Sequence, residues 1–144
     1  MSATIPLAGS EASDDFPELG AEEPTCLVSA VREGIPAARF DALKELLGVS
    51  TEQVTDVVGI SPSTLSRRRK RGRFDKDESE RILRIARIAL RAAEVLGGLE
   101  NARKWLTEPA RALGGEKPLE FADTEPGARE VERLLIRLEH GVYS

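Results

Sequence analysis

The chain has 144 residues, a formal net charge of −4, 40% apolar and 32% charged residues, and only 4% aromatics. No stretch approaches the ~18 apolar residues of a membrane span, and no basic region followed by an apolar run opens the chain, so no secretory leader is expected. Cys26 is the single cysteine, which excludes an intramolecular disulfide or a thiolate metal cluster and predicts a cytoplasmic protein with an aliphatic core.

Residues 1–23 are acidic and rich in small side chains without apolar period, and are predicted to be a disordered tail. A short helix is expected over 24–32, ended by Gly34. A better one is expected over 36–47, where Phe40, Leu43, Leu46 and Leu47 recur at helical spacing before Gly48. Cys26 lies in an apolar stretch with no histidine near it in sequence, and is expected to be a buried thiol rather than a nucleophile.

Residues 51–73, TEQVTDVVGISPSTLSRRRKRGR, are the most informative segment. Val54, Val57 and Val58 form one apolar stripe on a first helix, which Ser50 or Thr51 can cap. Gly59 suits a tight turn between helices because it takes positive φ without strain, and Ile60 would plug the corner. Ser61 is a capping residue, and Pro62 stands at the first helical position, where a missing N–H costs nothing. Leu65 is the one large apolar residue of the second helix and should face the core. Ser63, Thr64, Arg67 and Arg68 are then left on the outer side. This is the layout of a helix-turn-helix DNA reader. The predicted DNA contacts are Ser61, Ser63, Thr64, Ser66, Arg67, Arg68, Lys70, Arg71 and Arg73, with hydroxyls allowing close approach and arginines gripping guanine or phosphate. A basic run alone would read as a solvated face or a localisation signal; the capped Ser61–Pro62 and Leu65 at these offsets favour the reader.

The charge distribution agrees. Residues 1–36 carry seven carboxylates against Arg32, whereas residues 61–91 carry eleven Lys and Arg against four carboxylates. Local field rather than net charge steers a protein to DNA.

After a break at 72–74, Asp75 or Asp77 should start a long helix to about Leu96. Its apolar side is broad enough to need more than one neighbour. A short helix with Ala102, Trp105 and Leu106 follows, with Trp105 expected in the core. Pro109 stops it, and residues 113–118 form a turn. Gly114 and Gly115 lack a following lysine motif and read as part of that turn rather than a phosphate cradle. One helical turn is expected at 119–122. Thr124 caps a last helix holding Val131, Leu134, Leu135 and Leu138, which Gly141 ends. His140 has no Cys or second His to complete a metal site, and fits the favoured cation at a helix C-terminus. The fold class is therefore all-α: a helix-turn-helix part over 24–91 followed by a small helical part over 92–144. No catalytic triad, metal site or cofactor motif is present in the sequence, so no enzyme is expected.

Four segments of the C-terminal half stand in a recognisable order: AEVLGGLENARKWL (93–106), PARALGGEKPL (109–119), TEPG (124–127) and RLEHGVY (137–143). Together with the helix-turn-helix they resemble the Xre/MbcA/ParS antitoxins, over roughly residues 40–144. One departure is Ala110, where such proteins often carry Asn. The resemblance implies a non-enzymatic antitoxin of a type II toxin–antitoxin pair. Its partner would be a RES-type toxin, similar to ADP-ribosyltransferases and consuming NAD. The complex would repress its own operon through operator DNA with an inverted repeat, as a homodimer or higher oligomer. Toxin contact is expected at Arg137, His140, Gly141, Val142, Tyr143 and Ser144. An aromatic tip and a terminal carboxylate could enter a nucleotide site; alternatively, Val142 and Tyr143 pack on their own domain. A stand-alone repressor whose C-terminal half dimerises is the competing reading.

Overall fold

The computed structural model describes residues 13–20 and 23–141. Among the described residues, helical backbone at 13–14 precedes a 3-10 turn, Pro17–Gly20. The α-helices described from end to end are α1 Pro24–Glu33, α2 Ala38–Leu47, α3 Thr51–Val58, α4 Pro62–Arg71, α5 Lys76–Leu96, α6 Leu99–Leu106, α7 Pro118–Phe121 and α8 Glu125–Glu139, with a 3-10 turn at Arg111–Leu113. No strand is present among the described residues; an isolated antiparallel bridge joins Pro36 to Arg73.

The local chemistry sets the boundaries. Ser50 caps α3 in a full capping box, its side chain accepting from the Gln53 amide while the Gln53 side chain accepts from the Ser50 amide. Asp75 and Glu78 form the same device at the start of α5. Thr124 Oγ1 accepts from the Gly127 amide at 3.1 Å and opens α8.

The 21-residue helix α5 is the axis of the molecule, packing against α1, α2, α3, α6 and α8. Ile82, Ile85, Ala86, Ile88, Ala89 and Ala92 are buried along it. Alanines on this face let neighbours approach closely, and the isoleucines fill the space between. One continuous core results, running from Phe40, Leu43 and Val54 to Leu106, Val131 and Leu135. The boundary expected at 91/92 thus falls inside a single helix shared by both halves.

Gly127 sits where α8 meets α7. A Cβ there would lie 1.8 Å from the Phe121 carbonyl oxygen, so only glycine allows this approach.

Three expectations are corrected. Residues 13–20, expected within a disordered tail, pack on the domain: Phe16 is buried, Leu19 is half-buried, and Glu18 pairs with Arg39 at 3.0 Å. A single Phe carries no period, so the sequence pattern could not show this anchor. Cys26 is exposed, not buried, because α1 turns Leu27 and Val31 inward and Cys26 lies off that face. Trp105 is half-buried at the core's margin rather than enclosed.

Candidate functional site

The helix-turn-helix is built as its sequence requires. Val54, Val57 and Val58 are buried on α3, Ile60 closes the corner, and Leu65 anchors α4. Gly59 makes the turn with φ +67°. Arg81 of α5 reinforces it, its Nε donating to the Val58 carbonyl at 2.6 Å and Nη2 to that of Gly59 at 3.4 Å. These are orphan carbonyls at the C-terminus of α3, where a cation is favoured.

Helix α4 starts at Ser61, whose Oγ accepts from the Thr64 amide at 3.2 Å, with Pro62 at the first position. Ser61, Ser63, Ser66, Arg67 and Lys70 are exposed and Thr64 is half-exposed on this helix. Of these six predicted contacts, Ser61, Ser63, Thr64 and Arg67 are linked by side-chain hydrogen bonds.

The rest of the basic run is placed differently. Arg68, expected on the outer side, turns toward α5. Its Nε donates to Glu78 Oε1 at 2.8 Å, and its Nη2 to Glu78 Oε2 at 3.0 Å and Asp75 Oδ2 at 2.7 Å. Its side chain keeps only 14% of its exposure. Arg71 pairs with Asp75 at 2.7 Å and also donates to the Arg73 carbonyl. Arg73 donates to the Gly34 carbonyl. Arg69, not among the predicted contacts, stacks 5.5 Å from the Phe40 ring centre and pairs with Asp41.

The physical reason is proximity. The chain reverses at Gly72, and the acidic first turn of α5 lies beside the basic last turn of α4. Carboxylates belong at a helix N-terminus and guanidinium groups at a C-terminus, so the two ends neutralise each other. Burial raises the Glu78 carboxyl, but hydrogen bonds from Arg68 and the Asp75 amide outweigh it, and the group lies below its ordinary range. Asp75 is lowered chiefly by its hydrogen bond from Arg71. The Arg68 guanidinium is raised by its bond to Glu78.

The loops flanking α2 and α4 are clasped together. The Ala37 amide donates to the Gly72 carbonyl at 2.9 Å and the Phe74 amide to that of Ile35 at 3.0 Å. The Ile35 amide donates to buried Ser79 Oγ at 2.9 Å. These backbone bonds leave no side-chain pattern to read.

In the C-terminal half, Val131 and Leu135 bury one face of α8, leaving Arg137 and His140 exposed at its end with Gly141 beyond. Val142, Tyr143 and Ser144 lie outside the described residues. Arg103 of α6 was missed by the sequence reading: its guanidinium donates to the Leu46 carbonyl at 3.1 Å and that of Glu45 at 2.6 Å, capping α2 from the other half. No group of acidic, His and Cys side chains suited to a metal occurs among the described residues. No described helix is long and apolar enough to cross a membrane.

Fold and site together define a helix-turn-helix protein whose reading helix is braced by a long shared helix and followed by a small helical C-terminal domain. The comparisons agree with both parts. Residues 27–87 match the antitoxin Xre-like helix-turn-helix domain, and residues 91–141 the antitoxin Xre/MbcA/ParS C-terminal toxin-binding domain. The antitoxin Xre of Yersinia enterocolitica is 36% identical over 128 residues, covering 88% of this chain and 86% of that protein. The antitoxin Xre of Pseudomonas putida is 30% identical, covering 88% and 78%. A Sphingobium protein named Prs ADP-ribosylating antitoxin is 21% identical, covering 84% and 82%. A chain of the M. tuberculosis MbcT–MbcA toxin–antitoxin complex shares the fold, with TM-score 0.57 at 23% identity, over 75% of this chain and 96% of that one. The chain belongs to the Xre antitoxin family.

Proposed function

We propose that this antitoxin neutralises a RES-type, NAD-consuming toxin by direct contact and represses its own operon through α4, acting in the cytoplasm without catalysis of its own. The observation that carries the reading is the coupling of the two matched domains through one helix, α5. The ADP-ribosyl chemistry in the Sphingobium relative's name supports a partner that handles NAD.

The DNA face in this proposal is Ser61, Ser63, Thr64, Ser66, Arg67 and Lys70, while Arg68, Arg71 and Arg73 brace the helix. The toxin face is the exposed end of α8, with Arg137, His140 and Gly141, continuing into Val142, Tyr143 and Ser144. A cation at this end suits the anionic phosphates of a dinucleotide pocket or a carboxylate beside it. Operator binding uses an inverted repeat and two or more copies of the chain, with half-sites about one helical turn, ~34 Å, apart.

The test is growth rescue. Cells expressing the toxin encoded beside this gene are supplied with the full chain, the chain ending at Gly141, or Arg137→Ala. Rescue by the full chain and loss of rescue by the truncation, with helical content and melting temperature unchanged, is the expected result. Full rescue by the truncated chain removes the tail from the toxin face. Operator repression with no toxin gene nearby favours the stand-alone repressor.

A further inference from the structure

Six cations lie between positions 67 and 73, and intramolecular bonds divide them sharply. Arg68, Arg69 and Arg71 are held by carboxylates, and Arg73 by the Gly34 carbonyl. Arg67 and Lys70 make no ion pair among the described residues. Arg67 alone of these two carries the planar fork that grips two acceptors at once.

The hydroxyls beside it are arranged in a directed chain. Ser61 Oγ donates to Thr64 Oγ1 at 3.0 Å, and Arg67 Nη2 donates to the same Thr64 oxygen at 3.2 Å. Ser61 has one hydroxyl proton and gives it to Thr64, so the 3.3 Å contact between Ser61 and Ser63 runs from Ser63 to Ser61. Both lone pairs of Thr64 Oγ1 are then occupied, and its own proton is left to donate outward. Arg67 has only donors. Arg67 and the Thr64 hydroxyl therefore offer hydrogen-bond donors and no acceptor, whereas Ser63, its proton given to Ser61, turns acceptor lone pairs outward one turn earlier on the helix.

We infer that Arg67, oriented by Thr64, is the specificity-determining residue of the reading helix and selects a guanine in the major groove. Among the base edges there, guanine presents two adjacent acceptors, O6 and N7, with no donor. Adenine and cytosine present a donor, and thymine a methyl group. The donor-only pair of Arg67 and Thr64 leaves each of those edges partly unsatisfied. Thr64 is a positioning residue: it fixes the Arg67 fork and adds one donor at the edge of the same contact. Lys70, a point charge one turn further on, is suited to phosphate instead.

This inference rests on the proposed DNA reading, and the experiment separates the two. The purified full chain selects duplexes from a random-sequence library at fixed salt. Each guanine of the selected site is then replaced by 7-deazaguanine, which lacks N7, or by inosine, which keeps N7 and O6. One guanine per half-site is expected to be sensitive: 7-deazaguanine weakens binding roughly tenfold while inosine leaves it unchanged, the loss being that of the N7 half of a bidentate contact, which falls within the range such a contact spans. Arg67→Ala abolishes that difference, and Arg67→Lys does not restore it. Thr64→Val reduces the difference without removing it. Arg67 is exposed, so the circular dichroism of Arg67→Ala should match the parent. An Arg67→Ala protein that binds every duplex more weakly with its base preferences intact, and a shallower salt dependence, would make Arg67 a phosphate contact and overturn the inference alone. Selection of no sequence at any salt would overturn the DNA reading itself and this inference with it.

Discussion

Substitution of Leu43 by alanine tests whether the DNA-reading and toxin-binding halves are one cooperative unit. Leu43 lies on α2, is fully buried, and belongs to the same core as Leu106 and Leu135 of the C-terminal half. Replacing a buried Leu by Ala costs about 3 kcal/mol, from lost transfer free energy and the cavity left behind. With an unfolding entropy of roughly 2.1 cal/mol/K per residue over the described residues, that corresponds to a fall in melting temperature of about 11 °C. Trp105, the single tryptophan, sits on α6 and reports the C-terminal half by fluorescence. Far-ultraviolet circular dichroism reports all helices together. A shared core requires both signals to move together, in one transition, by the same amount. A Trp105 transition that stays in place while part of the dichroism melts early would show two independent domains and refute the shared-core reasoning.

Other outcomes follow from particular contacts. Asp75 and Glu78 are lowered in the folded chain, so their stabilisation is present above the ordinary carboxylate values, 3.8 and 4.5, and is lost as pH falls through the folded values. Acid melting curves should steepen below about pH 4.5, and Arg68→Met should flatten that loss while lowering stability at neutral pH. Gly127→Ala drives a methyl into the Phe121 carbonyl and should destabilise by roughly 1–3 kcal/mol, the range for overpacking, read by denaturant midpoint. Arg103→Ala leaves the Glu45 and Leu46 carbonyls to solvent. A loss of about 1 kcal/mol is expected for partly exposed bonds of this kind, with the helical content retained.

Much of the fold was legible because it is written in local rules. The valine stripe, Gly59, the Ser61 cap and Leu65 specify two helices and their turn, and the structure places each as expected. The Thr124 cap and the breadth of the apolar face of α5 were equally readable, while the choice of Ser50 over Thr51 and of Asp75 over Asp77 is made by the structure. What the sequence could not show depends on contacts between distant residues. Phe16 has no periodic companions, yet it is buried. Nothing in the sequence marks Arg81 and Arg103 as caps, because the helix ends whose carbonyls they meet are distant along the chain.

The basic run is the most instructive case. As a string it presents equivalent cations; in space, the acidic start of α5 takes up Arg68 and Arg71 and leaves Arg67 and Lys70 facing outward. Spacing along α4 could place Leu65 inward, but only the reversal at Gly72 decides which arginines meet a carboxylate. The proposed toxin face rests on resemblance rather than on pattern, since an exposed helix end has no periodicity to read.

The central claim, that this chain is the inhibitory partner of a toxin, is tested most directly by isolating it from its own host at native abundance and measuring the intact mass of what it carries. The account predicts a complex with a second protein in fixed stoichiometry, whose expression alone arrests growth and depletes NAD until this chain is restored. A chain isolated without a partner, binding its operator tightly and leaving growth unaffected by its neighbours, would contradict it.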